Sequence, residues 1–206
     1  MRLFKLMTSQ LSRLLIIVLF FHSTISSALE IGEKAPAFSL FSHTGKKVSL
    51  EDFKEKIVVL EWFNKGCPFV KKFYESGYMQ KWQKKYATTE IVWLTISSSA
   101  EGKQGHETIE EVKATRKKWK INSTLNLLDH SGQTGLAYSA KTTPHFFIIG
   151  KQQEILYQGA IDSILSIDSS DIEKADNYVI QALELIKKEK EIKTKKTAPY
   201  GCSVKY

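Results

Sequence analysis

Seven residues from Ile57 to Phe63, I-V-V-L-E-W-F, form an apolar run interrupted only by Glu61. A short run of this kind reads as a strand, and apolar residues at both odd and even positions require cover on both faces. The run passes directly into N-K-G-C-P. Proline is tolerated at the first position of a helix, where its missing N–H leaves no bond unmade. A strand covered on both sides and feeding a helix is the building unit of α/β proteins.

The remaining segments fit that frame. Residues 31–53 read as two short strands around a turn at Thr44-Gly45, followed by a helical turn that Ser49 caps in the capping-box pattern S-L-E-D. A helix is expected from Pro68, with Phe69, Val70, Phe73 and Tyr74 turned inward and Gly77 bending or ending it. Ile91 to Ile96 is a second buried strand, Glu107 to Trp119 a helix, Leu125 to Leu128 a short strand and Gly132 to Ser139 a short helix. His145 to Gly159 reads as a hairpin around K-Q-Q. Ile172, Ala175, Val179, Ala182, Leu183 and Ile186 mark one face of a closing amphipathic helix. The expected fold is α/β: a central mixed sheet flanked by helices, with an N-terminal hairpin and a C-terminal tail.

Residues 1–28 stand apart. Arg2, Lys5 and Arg13 precede the apolar run Leu14 to Phe21, and Ser26 and Ala28 occupy the small-residue positions of a cleavage site. The run is well short of the roughly 18–20 residues that span a bilayer, so it reads as an export signal rather than an anchor. The expected organisation is a signal peptide at 1–28, one domain at 29–190 and a tail at 191–206. The expected location is periplasmic or secreted, with no stable membrane insertion after cleavage.

The formal net charge of +8 does not indicate a nucleic-acid partner. Three cations leave with the signal, and Lys187 to Lys196 concentrates six lysines against two glutamates. The rest of the body is nearly neutral, whereas a nucleic-acid binder spreads its basic residues over a folded face. The lysine run reads as a solvated helix end. Cys67 and Cys202 are the two cysteines. In an exported chain such a pair raises the expectation of a disulfide, structural or redox-active, but it cannot replace a hydrophobic core.

At this point the chain resembles the thioredoxin-like superfamily. More narrowly it resembles the redoxin branch, which includes the alkyl hydroperoxide reductase and thiol-specific antioxidant proteins. Four stretches carry the resemblance: G-E-K-A-P-A-F-S-L with G-K-K-V-S-L-E-D-F, V-V-L-E-W-F-N-K-G-C-P, T-T-P-H-F-F-I-I, and the final hairpin with its helix. Two stretches, G-C-P-F-V-K and P-Y-G-C-S-V-K-Y, resemble a single-cysteine subgroup. The departures are equally specific. Val70 removes the C-x-x-C dithiol, Asn64 replaces the threonine of typical peroxiredoxins, and Leu60 replaces their proline. Arg116 is the one arginine after the signal, on a basic helix where a solvated role is expected.

The resemblance makes Cys67 the expected nucleophile. A helix N-terminus stabilises a thiolate, and such sites lower a thiol pKa from about 8.5 into the range of roughly 3.5–7.5. Pro68 opens the helix, and Lys65 could add to the field. Glu61 stands where thioredoxins hold a buried acid, and burial would suit it to proton transfer; the alternative is a strand-end glutamate paired with a lysine. Thr143, Pro144 and His145 resemble the cis-proline loop that offers backbone groups to a substrate chain. For His145, packing or exposure competes with a thiolate contact. Cys202 is the candidate resolving thiol, if the tail folds back.

The implied function is thiol–disulfide exchange on protein or small-molecule thiols and disulfides. The alternatives are a thiol peroxidase acting on peroxides, and a non-catalytic binding module or metal and thiol chaperone. No cofactor is implied. No metal is expected either, because Cys67 and His145 alone are too few ligands.

Overall fold

The computed structural model describes residues 29–206. The expected signal peptide therefore lies outside the described residues. Strands β1 (Ser39–Ser42) and β2 (Lys47–Ser49) form the N-terminal hairpin. A 3-10 turn (Leu50–Phe53) follows, in which the Asp52 carboxylate accepts from the Ser49 N–H at 2.8 Å.

The central strands are β3 (Ile57–Trp62) and β4 (Ile91–Ser97), buried at every position as continuous apolar runs demand. Between them lie α1 (Pro68–Glu75) and α2 (Tyr78–Tyr86), separated by Gly77 at φ +81°, a conformation glycine adopts without steric cost. Helix α3 (Ile109–Trp119) starts at a Thr108–Glu111 capping box, and β5 (Leu125–Leu128) and α4 (Gln133–Ala137) follow. Strands β6 (Thr142–Thr143), β7 (His145–Ile149) and β8 (Ile155–Gly159) precede α5 (Tyr178–Lys187), and the chain closes on β9 (Cys202–Ser203).

Seven of these strands form one mixed sheet in the order β2-β1-β5-β4-β3-β7-β8. The β3–β4 and β4–β5 pairs are parallel and the others antiparallel. Side chains alternate across this sheet. Val59, Phe63, Trp93, Phe146 and Ile148 meet α1, α2 and α5 on one face. Leu60, Trp62, Leu94, Phe147 and Ile149 meet Phe38, Leu50 and Tyr138 on the other. Each fully buried Val, Phe or Leu side chain contributes about 1.5–3 kcal/mol, so Val59, Phe73, Phe146 and Leu183 together outweigh the roughly 2–4 kcal/mol of a disulfide. The fold rests on these two cores.

One element differs from expectation. Ile172 and Ala175 do not belong to α5, which starts only after the Asn177 cap, whose side chain accepts from the Ile180 N–H at 2.9 Å. Residues 163–176 instead form a polar segment with a 3-10 turn at Ser169–Asp171. Its backbone N–H groups bond to Asp162, Ser163, Ser166 and Asp168 side chains, the local alternative that short polar residues offer to a helix. Among the described residues no helix is long and apolar enough to cross a membrane.

Candidate active site

Cys67 ends the turn that leaves β3 and caps α1, with Pro68 at the first helical position. Asn64 shapes that turn. Its side-chain oxygen accepts from the Gly66 N–H at 2.8 Å, its amide donates to the Gln104 carbonyl at 3.0 Å, and its backbone carbonyl accepts from the Cys67 N–H at 3.0 Å. The residue that stands in place of the peroxiredoxin threonine thus ties the cysteine turn to the loop after β4.

Across from Cys67 lies the loop between β6 and β7, where the Thr143–Pro144 peptide is cis. The Cys67 thiol donates to the Thr143 carbonyl at 3.0 Å. Strand β9 of the tail pairs antiparallel with β6, placing Cys202 opposite Thr143 and Ser203 opposite Thr142. Cys202 packs against the apolar cluster that holds Cys67, and the two are free thiols. Burial first, then the hydrogen bond and the negative charge of Cys67, push the Cys202 thiol up to about 11. Gly201 makes this approach feasible: a Cβ there would stand 2.1 Å from the Thr143 oxygen.

Cys67, Pro68, Thr143, Pro144 and Cys202 therefore converge. The Cys67 side chain is nonetheless 0% exposed. The tail takes up the sheet edge beside the cis-proline, so the thiol is covered by the chain's own C-terminus.

Glu61 is fully buried behind this cluster. Its carboxylate accepts from the Tyr74 hydroxyl at 2.8 Å, the Trp93 indole at 2.8 Å and the Gln83 amide at 3.4 Å. Burial raises its pKa to about 7, and those three donors pull against the rise. Of the two sequence alternatives the lysine partner is not the one found; none of the carboxylate's bonds reaches Cys67 either.

His145 departs from the substrate-contact expectation. It pairs with Trp62 across β3 and shares the Phe147 face of β7, opposite to the face that Phe146 shares with Cys67. Its ring lies 4.6 Å from that of Phe147, and Nδ1 accepts from the Lys141 N–H at 3.3 Å. Burial holds its pKa down to about 3, so it is a neutral packed imidazole.

Two basic residues are also placed differently from expectation. Lys65 points to Glu107 Oε1 at 3.2 Å rather than to the thiol. Arg116 is half-buried rather than free in solvent: it donates to the Ser123 hydroxyl and carbonyl, both at 2.9 Å, and to Asn126 Oδ1. Both terminal nitrogens are thus engaged by Ser123 and by Asn126 of β5. Among the described residues no cluster of three or more metal-ligating side chains occurs.

The fold, the N-capping cysteine and the cis-proline loop together define a thioredoxin-like thiol oxidoreductase. Residues 31–158 match the model of the AhpC/TSA family, and the chain belongs to that family. It is similar to the thiol-disulfide oxidoreductase ResA of Bacillus thuringiensis subsp. konkukian, with 27% identity over 135 residues, 66% of this chain and 72% of that one. Among solved structures, an uncharacterized conserved protein from Geobacillus kaustophilus has a TM-score of 0.74 at 22% identity, covering 86% of this chain and 93% of that one. The peroxidoxin BcpB of Mycobacterium tuberculosis has a TM-score of 0.54 at 17% identity, covering 78% and 97% respectively. These last two likenesses are of fold alone.

Sequence reasoning did not single out Asn64 as a structural tie, nor Asp162 and Tyr200 as neighbours of the site. The signal was present in the pairing of G-C-P-F-V-K with P-Y-G-C, because Phe69 of the first motif meets Tyr200 of the second.

Proposed function

We propose that this protein is an exported thiol–disulfide oxidoreductase in which Cys67 is the nucleophile and Cys202 the resolving thiol. The observation that supports this reading is the register of Cys202 with Thr143, the residue whose carbonyl accepts from the Cys67 thiol. The Cys67 thiolate attacks a substrate disulfide, forming a mixed disulfide and expelling one substrate thiolate, which takes up a proton. Cys202, on losing its proton, attacks the Cys67 sulfur and expels the second substrate thiolate. The substrate disulfide gains two electrons and two protons, and the protein is left with a Cys67–Cys202 disulfide. An external dithiol of lower potential then restores both thiols.

Glu61 is the buried group with a pKa near working pH and is assigned to proton transfer behind the site. Thr143 and Pro144 offer the strand edge to an incoming chain once the tail has moved aside, and Pro68 fixes the start of α1. Export rests on the leader-like pattern of residues 1–28, and the division at residue 190 rests on the end of α5 at Lys187, after which the tail runs beside Gln158 of β8 and then pairs with β6. The likeness to ResA supports exchange over peroxide reduction, as does the engagement of Arg116 away from the thiol.

Stopped-flow oxidation of the reduced protein tests this reading. Rapid reaction with a model disulfide, alongside peroxide oxidation no faster than that of free cysteine, is expected. Rapid peroxide oxidation with sluggish exchange would reassign the protein as a peroxidase.

A further inference from the structure

Two motifs far apart in sequence meet beside Cys67. The Tyr200 ring of P-Y-G-C lies edge-on to Phe69 of G-C-P-F-V-K at 5.7 Å. The Tyr200 hydroxyl donates to Asp162 Oδ1, which also accepts from the Ile164 N–H at 3.1 Å. The other carboxylate oxygen stands 3.9 Å from Lys72 Nζ, with side chains only 0% and 2% exposed. Among the described residues that ammonium has no hydrogen-bond partner. A buried ion pair at this separation compensates its own desolvation poorly, so the carboxylate gains from any further donor brought to it. A hydroxyl hydrogen bond to a buried carboxylate is charge-assisted and strong.

The next residue of the tail is constrained in a different way. Gly201 has φ +135°, and a Cβ on it would overlap the Thr143 carbonyl oxygen at 2.1 Å. Cys202 then follows in register with Thr143. Aromatic hydroxyl, glycine and cysteine thus each meet a feature of the groove that fits that residue and disfavours others.

We propose that Asp162, Phe69 and Lys72 form a recognition subsite for a tyrosine two residues ahead of the cysteine in any chain occupying the cis-proline groove, with the protein's own tail as its resident ligand. The substrate class is an extended polypeptide carrying Tyr-Gly-Cys, which displaces the tail by reproducing its contacts. The inference rests on the exchange reading given above.

The test uses the full chain bearing Cys202→Ser, so that reaction stops at the mixed disulfide. Peptides Ala-Pro-Tyr-Gly-Cys-Ser-Val, its Phe-Gly-Cys form and its Tyr-Ala-Cys form each carry thionitrobenzoate on the cysteine. Cys67 attacks the peptide sulfur, forms the protein–peptide disulfide and expels thionitrobenzoate, whose colour gives the rate. The tail must move aside for all three peptides alike. The Tyr-Gly-Cys peptide is expected to react roughly ten- to a hundredfold faster than the Phe form, the worth of a hydrogen bond to a charged group. The Tyr-Ala-Cys form is expected to be slower still than the parent peptide. In an Asp162→Asn variant the Tyr over Phe preference falls several-fold; if that variant does not fold, the peptide comparison on Asp162 itself stands alone. Equal rates for the Tyr and Phe peptides overturn the subsite and leave the exchange reading intact. No release from any peptide overturns the exchange reading and this inference with it.

Discussion

Cys202 stands opposite Thr143 in an antiparallel pair, and the Thr143 carbonyl accepts the Cys67 thiol hydrogen at 3.0 Å. One short backbone pairing therefore decides both what covers the first sulfur and where the second one sits. The consequences are measurable in the tail, in the buried acid and in the cysteine turn.

Gly201→Ala should expel the tail. The new Cβ would overlap the Thr143 oxygen, and φ +135° is a conformation that costs an L-residue on the order of 1–3 kcal/mol. Native-state alkylation of Cys67 by iodoacetamide is expected to be slow in the parent protein and several-fold faster in the variant. Equal rates would mean that the tail does not control access.

Glu61 links stability to pH. Its pKa is raised from 4.5 to about 7, so between those values the folded protein keeps a proton that the unfolded chain has lost. This contribution is fully present below pH 4.5 and is lost as pH rises through about 7, a fall of about 3 kcal/mol. Glu61→Gln removes the titration, so its stability, measured by urea unfolding from pH 4.5 to 8, should decline less steeply by that amount. Parallel pH profiles for the two proteins would contradict the assignment.

Cys202 should label with the opposite demand. Because its thiol is pushed up to about 11, alkylation is slow near neutrality and climbs with pH, the thiolate being the reactive form. Cys67→Ser removes the charge and the sulfur hydrogen bond that help raise it, leaving burial as the main cause. The labelling profile of Cys202 is then expected to move to lower pH. A profile that does not move would place the two sulfurs out of contact.

Asn64→Ala unties the cysteine turn. It removes the bonds to the half-buried Gly66 N–H and to the carbonyl of the exposed Gln104, at about 0.5–1.5 kcal/mol for each bond. Thermal unfolding should come earlier, and exchange should slow even at temperatures where the variant is folded. Unchanged exchange in the folded variant would show that the turn does not position Cys67.

Much of this was legible from local pattern. Ile57 to Trp62 could be read as a doubly covered strand because burial leaves no polar alternation, and Pro68 marked the first turn of α1 because its ring suits that position. The 163–176 segment was misread because Ile172 and Ala175 keep a helical spacing with α5 while the serines and aspartates before Asn177 bond locally instead. His145 and Arg116 illustrate a second limit. A residue type suggests chemistry, but strand parity turns His145 to the far face, and Ser123 and Asn126 engage both terminal nitrogens of Arg116. Contacts between distant segments, such as Tyr200 with Phe69, have no periodicity to announce them.

The most direct test is one turnover of the reduced full-length protein with 5,5′-dithiobis(2-nitrobenzoate), followed by intact-mass measurement. Release of two thionitrobenzoate ions per chain is expected, with no adduct retained and a mass lower by two hydrogens. With Cys202→Ser, a single ion is released and one adduct stays on Cys67. An adduct that persists on Cys67 in the unaltered protein, or labelling confined to Cys202, would contradict the pairing of the two sulfurs in one reaction.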